Sequence, residues 1–337
     1  MTDAPADLAG ALRLDPPAGH PLLDLPSAIS PHLAELEAGI LDWADRYALL
    51  DGPSARDKLA RTRLGELIAR SYPTIAPARI PAVTGWFTWA FVIDDCHEQP
   101  SGDYDAAAAR TMDILAGAPG LAGATPLEAQ LSEVWQRLSA GMSTSWRHRF
   151  ALHMAHFLVA FKYEAFNRRH RQVPDLGWYR QFRRSSGGIT PSLDLIEVAT
   201  GQEVPALLHE FEETRLMFNR AADVVVWVND IVSLRKELAA GEVSNGVLVL
   251  ARERDLDLQT AVDETYVLIG RQLAEFHQAE AEAETLLGHW RGLEPAAVDA
   301  VRTFADGLRS WMRGNLDWSA HSDRYQVTDG IRLATVN

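Results

Sequence analysis

From residue 31 to residue 320, apolar residues recur along the sequence with the period of an α-helix. No stretch alternates apolar and polar residues convincingly over the length of a β-strand. The sequence therefore predicts an all-α protein, built as a single large bundle of many helices.

Capping residues and the limits of the apolar pattern predict twelve helical segments. They cover residues 31–49, 55–71, 80–97, 104–116, 126–143, 146–171, 176–185, 190–200, 206–240, 245–253, 258–287 and 294–320. Ser30 is predicted as the first N-cap and Pro31 as the first helical residue. No repeat or linker divides the chain, so we expect an irregular N-terminal leader (1–29), one domain (30–325) and a C-terminal tail (326–337).

The composition excludes some classes of protein. Hydrophobic residues make up 47% of the 337 residues, enough for a large core, and the formal net charge is −14. An acidic chain argues against a nucleic-acid partner, because phosphate binding requires a basic surface. The single cysteine, Cys96, fits a reducing cytoplasm. No apolar run approaches the roughly 20 residues that span a bilayer, so no membrane partner is expected.

The segment "FVIDDCHEQP" brings three carboxylates to the end of an apolar helix. Asp94 and Glu98 are four residues apart and share a helical face, and Asp95 lies beside them. Phe87 and Phe91 continue the face of Asp94. Clustered carboxylates at a helix C-terminus are unfavourable with the helix dipole, whereas a divalent cation would stabilise them. A metal site and a solvated helix end both remain open from this segment alone.

A second oxygen-bearing stripe occurs in "VVVWVNDIVSLRKELAAGE". Asn229, Ser233 and Glu237 fall at positions i, i+4 and i+8, on one helical face. Their oxygens suit Mg²⁺, and Lys236 suits a phosphate. The alternative is an amphipathic helix with its polar face in water, but the preceding valine-rich run indicates burial. Two such stripes favour a metal site between helices.

Together the two segments resemble the metal motifs of bacterial class I terpene synthases (terpene cyclases). The first motif matches as Asp94-Asp95-x-x-Glu98, and the second, N-D-x-x-S-x-x-K-E, matches completely as "NDIVSLRKE". The resemblance spans roughly residues 85–325. It implies a helical bundle of the class I terpenoid synthase type with a central active-site cavity, and a catalytic domain over residues 30–325.

The same resemblance extends to residues that bind diphosphate. In "FRRSSGGIT", Arg183 lies 46 positions before Asn229, which fits the family's pyrophosphate-sensing arginine better than Arg184 does. Ser186 and Gly187 then occupy the linker and effector positions. By itself the segment also fits a plain helix end. The family's closing Arg-Tyr pair corresponds to Arg324-Tyr325.

The resemblance implies that three Mg²⁺ ions ionise a linear isoprenyl diphosphate. The metal ligands would be Asp94, Asp95, Glu98, Asn229, Ser233 and Glu237, and the diphosphate donors Arg183, Lys236, Arg324 and Tyr325. An allylic cation is stabilised by aromatic faces. The residues expected to line its pocket are Phe87, Phe91, Trp311, Asn315 and Trp318.

Such a pocket favours farnesyl diphosphate as substrate and a sesquiterpene hydrocarbon or alcohol as product. A monoterpene synthase that uses geranyl diphosphate with water capture stays an alternative. Asn315 could hold the water, or it could bond a backbone carbonyl. A chain-elongating prenyltransferase would carry two aspartate-rich motifs, and a helical scaffold would carry its acids on solvated faces. A homodimer is compatible with the sequence, and His153 and His156 are predicted to be packing residues with no carboxylate motif nearby.

Overall fold

The structure, a computed structural model, describes residues 12–97, 104–117 and 123–325, with side chains except at 95–97 and 104. Over these residues it contains fourteen α-helices and no β-strand, which confirms the predicted all-α fold. In chain order they are α1 (Leu33–Arg46), α2 (Gly52–Arg61), α3 (Leu64–Ser71), α4 (Ile80–His97), α5 (Tyr104–Leu115), α6 (Pro126–Ser139), α7 (Thr144–His170), α8 (Leu176–Ser186), α9 (Ile189–Thr200), α10 (Ala206–His209), α11 (Glu212–Ala240), α12 (Gly246–Arg254), α13 (Leu258–His289) and α14 (Pro295–Ser319).

Two of the predicted helices are divided in the structure, and the first begins later than predicted. The segment 55–71 is two helices, because Arg63 adopts a left-handed conformation (φ 52°) that interrupts the helical hydrogen bonds. The segment 206–240 is also divided, since Phe211 is extended and serves as the N-cap of α11. The first helix begins at Leu33 rather than Pro31, because Ser30 Oγ accepts a bond from the His32 amide and closes a turn instead of capping a helix.

Local capping explains where the helices that frame the centre begin. Ser143 and Asp175, at the starts of α7 and α8, each accept a bond from a tryptophan amide three residues later. Thr125 and Glu128 form a capping box at the start of α6. The long apolar helix α11 runs through the bundle between α13 and α14.

The N-terminal segment packs on α13. His20 Nε2 lies 2.8 Å from the carbonyl of Tyr266, and the Tyr266 hydroxyl donates to the carbonyl of Leu14 at 2.6 Å. Leu22 is fully buried in a short 3₁₀ turn. None of the described helices is both long and apolar enough to span a membrane.

Candidate active site

A cavity of about 360 Å³ lies between α4, α7, α8, α9, α11 and α14. One part of its wall is aromatic. The Phe87 ring stacks on Trp311 with 6.0 Å between centroids, and Phe91 meets Trp318 edge to face at 6.4 Å. The four aromatic residues predicted to line a pocket therefore line the same cavity. Phe157 of α7 also lines it, which the sequence did not reveal.

The first carboxylate motif reaches the cavity through Asp94 of α4. Its Oδ2 accepts a bond from Arg324 Nη2 at 2.8 Å, and the guanidinium carbon of Arg324 lies 4.5 Å from the centroid of the Phe91 ring. The arginine is thus held by both a carboxylate and an aromatic face. The Asp95 side chain and all of Glu98 lie outside the described residues.

The second motif faces the same cavity along α11. Asn229, Ser233, Lys236 and Glu237 all line it. The Ser233 hydroxyl donates to the Asn229 carbonyl at 2.7 Å, and Glu237 Oε2 accepts from Asn245 Nδ2 at 2.9 Å. Burial raises the pKa of Glu237 to about 7, and the nearby charge of Asp230 adds to the effect.

These residues fit a magnesium site. Asp94, Asn229, Ser233 and Glu237 present carboxylate, amide and hydroxyl oxygens to one cavity, and hard cations such as Mg²⁺ prefer oxygen ligands. Because Glu237 is half-buried and lies close enough to Asp230 for that charge to raise its pKa, a cation would also relieve the repulsion between these two carboxylates.

The two adjacent arginines of α8 point in different directions. Arg183 lines the cavity, and its Nη2 donates to Asn229 Oδ1 at 2.8 Å. Arg184 instead pairs with buried Asp223, with Nη2 to Oδ2 at 2.9 Å, and does not line the cavity. Of these two arginines, only Arg183 therefore lines the cavity.

The junction of α8 and α9 passes the cavity at Ser186, Gly187 and Gly188. Ser186 Oγ accepts a bond from Arg183 Nη1 at 3.3 Å. A Cβ at Gly187 would lie 3.1 Å from that same Nη1, and one at Gly188, where φ is +60°, would lie 3.1 Å from the ring of Phe157. The two glycines let the backbone turn close to the arginine.

The predicted Arg-Tyr pair lies in a 3₁₀ turn after α14, Asp323–Tyr325. The Tyr325 hydroxyl accepts a bond from Asn229 Nδ2 at 2.9 Å, and its ring meets Trp318 at 5.6 Å. The C-terminal turn thus joins both metal motifs, through Arg324 on one side and Tyr325 on the other.

Glu164 of α7 is a cavity residue that sequence reasoning missed. Burial raises its pKa to about 7, against the opposing influence of Arg183 and of a hydrogen bond with Ser186. Nothing in its sequence neighbourhood marks it, because the apolar pattern of α7 extends around more than one face. Arg168, one turn further along the helix, also lines the cavity and bonds Glu242 at 2.9 Å.

His153, predicted to be a packing residue, also has a carboxylate partner. Its Nδ1 lies 2.6 Å from Asp194 Oδ2, within a buried group that includes Glu197 and His209. The potential ligand atoms of Asp194, Glu197 and His209 lie within 4.8 Å of one another. However, Arg149 bonds both carboxylates, at 3.0 Å from Nε to Asp194 Oδ1. A guanidinium therefore supplies the positive charge there, and the three residues do not line the cavity.

Comparison with known proteins agrees with this geometry. Residues 85–275 match the family model "Terpene synthase family 2, C-terminal metal binding". Pristinol synthase of Streptomyces pristinaespiralis is 31% identical over 314 residues, covering 91% of this chain and 84% of that protein. A 7-epi-alpha-eudesmol synthase of Streptomyces viridochromogenes, described as cyclizing (2E,6E)-farnesyl diphosphate, is 31% identical over 93% of this chain and 94% of that protein.

Among solved structures, an a-eudesmol synthase superposes with a TM-score of 0.80 at 28% identity, covering 92% of this chain and 99% of the other. An all-α bundle around a cavity that carries both motifs defines a class I terpene synthase. The chain belongs to the terpene synthase family, as its sequence motifs predicted.

Proposed function

We propose that this enzyme uses Mg²⁺ to ionise farnesyl diphosphate and converts the resulting cation to a sesquiterpene hydrocarbon or alcohol, releasing diphosphate. One observation carries the proposal: the oxygens of both motifs and the guanidinium groups of Arg183 and Arg324 meet at a cavity whose other wall is aromatic. The fifteen-carbon substrate is supported by the 7-epi-alpha-eudesmol synthase, whose description specifies farnesyl diphosphate.

The metal would be held by Asp94, Asn229, Ser233 and Glu237, and three ions are expected from the family resemblance. Asp95 and Glu98 remain predicted ligands. When bound there, Mg²⁺ would neutralise negative charge on the diphosphate and so make it a better leaving group.

The chain's own cationic and hydroxyl groups complete the diphosphate site. Arg183, Lys236, Arg324 and Tyr325 line the cavity beside the metal ligands. Arginine offers a planar set of donors that matches phosphate oxygens, and the Tyr325 hydroxyl adds one neutral donor. These groups bind and orient the diphosphate where its negative charge increases as the carbon–oxygen bond breaks.

The aromatic wall would stabilise the allylic cation and exclude water from it. Trp318 is fixed for this, because its Nε1 donates to the carbonyl of Thr62 at 2.9 Å. Asn315 donates to the carbonyl of Val225 at 3.4 Å, so its amide is engaged with the backbone of α11. Ser186 and Gly187 would place the turn between α8 and α9 against the reacting end of the isoprenyl substrate.

The decisive experiment supplies ten-, fifteen- and twenty-carbon isoprenyl diphosphates with Mg²⁺ and analyses the volatile products. We expect a cyclic sesquiterpene from farnesyl diphosphate, with kcat/KM about tenfold or more above that for geranyl diphosphate, because the longer chain buries more apolar surface. EDTA and Asn229→Ala serve as inactive controls. A preference for geranyl diphosphate would contradict the substrate assignment, and no product from any of the three would contradict the function.

Running the same reaction in ¹⁸O-labelled water tests Asn315. Because its amide bonds Val225, we expect any label in the product to be unchanged in Asn315→Ala. Loss of label in that variant would show that the amide holds a reacting water.

A cytoplasmic location and a homodimer are further parts of the proposal. Cell fractionation can test the first and sedimentation analysis the second.

A further inference from the structure

Two buried aspartates of α11 each pair with one of the adjacent arginines of α8. Asp223 and Asp230 are seven residues apart, so they lie on one helical face two turns from each other. Asp230 Oδ1 accepts from Arg183 Nε at 2.9 Å, and Asp223 Oδ2 accepts from Arg184 Nη2 at 2.9 Å. Both carboxylates are fully buried.

Asp230 is held on its other oxygen as well. Oδ2 accepts from the Tyr179 hydroxyl at 2.7 Å and from the Gly246 amide at 3.0 Å. A Cβ at Gly246 would lie 2.6 Å from this oxygen and 2.3 Å from the ring of Trp227, so only glycine allows this approach. One carboxylate therefore joins α8, α11 and the start of α12, and Tyr179 and Arg183 reach it from the same face of α8.

The bond to Asp230 fixes the orientation of the Arg183 guanidinium. Its Nε is used by Asp230, which leaves the two terminal nitrogens for the cavity side, where Nη2 donates to Asn229 at 2.8 Å and Nη1 to Ser186 at 3.3 Å. A guanidinium is planar, so fixing Nε also fixes the plane in which the other donors lie. The side chain, 12% exposed, has little freedom left to lose when a ligand binds.

We propose that Asp230 is a positioning residue that aims the guanidinium of Arg183 at the substrate diphosphate, and that Tyr179 fixes the carboxylate that does so. This inference rests on the proposed function. Neither Asp230 nor Tyr179 lines the cavity, so both act through Arg183. In the metal motif, Asp230 is then a support for the arginine, while its neighbour Asn229 faces the cavity.

The Asp223–Arg184 pair provides a matched control. It has the same chemistry, the same burial of the aspartate and the same two helices, but Asp223 is shared with Arg220 and neither Asp223 nor Arg184 lines the cavity. A purely structural ion pair would respond to substitution in the same way at either position.

The test compares Asp230→Asn with Asp223→Asn, both as full chains. Titration calorimetry with inorganic pyrophosphate in excess Mg²⁺ measures the affinity of the site, and turnover of farnesyl diphosphate measures the reaction. We expect Asp230→Asn to weaken pyrophosphate binding about tenfold or more, since a buried charge pair loses one partner. Asp223→Asn should lower the stability of the fold, because a buried ion pair loses one partner, but the pyrophosphate affinity should stay within about twofold, because neither Asp223 nor Arg184 lines the cavity.

A double-mutant cycle separates positioning from stability. If Asp230 acts through Arg183, Asp230→Asn should change pyrophosphate affinity less than about twofold in an Arg183→Gln background. Tyr179→Phe removes one hydrogen bond to Asp230 but keeps the Asp230–Arg183 ion pair. It should therefore reduce pyrophosphate affinity less than Asp230→Asn does, and the melting temperature should depend on salt concentration as it does in the parent. This variant also keeps the test valid if Asp230→Asn fails to fold, because full affinity in Tyr179→Phe would then overturn the role of the Tyr179–Asp230 bond.

Equal losses of pyrophosphate affinity in Asp230→Asn and Asp223→Asn would overturn the inference. It would also be overturned if the Asp230→Asn and Arg183→Gln substitutions reduced the affinity independently, so that their fold-changes multiply in the double variant. Failure of the proposed function is a different result, in which the unmodified chain forms no terpene from any isoprenyl diphosphate. An active parent enzyme with an unaffected Asp230→Asn variant contradicts only the positioning role.

Discussion

Arg324 and Asp94 are 230 residues apart in sequence, yet Arg324 Nη2 donates to Asp94 Oδ2 at 2.8 Å. The pair links α4 to the turn after α14 where both residues line the cavity, and the centroid of the Phe91 ring lies 4.5 Å from the guanidinium carbon of Arg324. A cation that contacts both a predicted metal ligand and an aromatic wall is well placed to meet a diphosphate.

Arg324→Lys should lower kcat/KM about tenfold or more, because an ammonium group cannot match the planar donors of a guanidinium. Steady-state kinetics with farnesyl diphosphate measure this. Arg313→Lys is the control, since Arg313 pairs with Asp317 on α14 at 2.8 Å and does not line the cavity. Similar kinetics for Arg324→Lys and the parent would contradict a diphosphate contact.

Asp94→Asn and Asn229→Ala should each abolish or greatly reduce turnover without loss of helix, because each removes a predicted metal ligand. Circular dichroism checks the fold. In the parent, Mg²⁺ with pyrophosphate should raise the melting temperature, since a ligand that binds only the folded state stabilises it. That rise should be lost in both variants and retained in Asp105→Asn, whose exposed carboxylate pairs with Lys162. Full turnover in EDTA would rule out the metal site.

Arg183→Ala should reduce turnover far more than Arg184→Ala, because only Arg183 lines the cavity. Both variants leave a buried aspartate without its arginine on α8, so both should lose thermal stability. The comparison of kcat/KM at a temperature where both are folded isolates the contact with diphosphate. A reversed ranking would mean that the sensing arginine is Arg184 and that the linker and effector positions move to Gly187 and Gly188.

His209 should make the stability of the protein sensitive to acid. Burial, together with the charge of Arg149, lowers the pKa of His209 from 6.5 to about 3, in a group with His153, Asp194 and Glu197. The folded state therefore binds its proton less readily than the unfolded state. Its contribution to stability is present above pH 6.5 and is lost as the pH falls toward the folded pKa.

Between pH 7.5 and 5.0 the free energy of unfolding should fall by about 2 kcal/mol more in the parent than in His209→Gln. Urea unfolding at several pH values measures the difference. His289→Gln, at an exposed histidine, should follow the parent. Glu197 has a pKa raised to about 8 by burial, so its contribution changes in the opposite direction, decreasing as the pH rises from 4.5. Identical pH profiles for His209→Gln and the parent would show that His209 is not buried as a neutral ring.

Helix periodicity made much of the bundle predictable, whereas its interruptions were not. The left-handed turn that separates α2 from α3 is at Arg63, which lies between Thr62 and Leu64, so no glycine or proline at or beside this position marks the turn in the sequence. Glu164 was missed for a related reason: it lies in a helix whose apolar residues surround it, and only the packing of α7 against α8 brings it to Arg183.

The sequence alone determined the all-α class, the family and the alignment of Asn229, Ser233 and Glu237 on one face of α11, because a helix repeats over a few residues and its geometry is local. Only the tertiary structure decided that Arg324 meets Asp94 and that Asp230 supports Arg183 rather than facing the cavity with Asn229. Those relationships join helices distant in sequence, and the packing of side chains between the helices, which no local period encodes, fixes which atoms come within bonding distance.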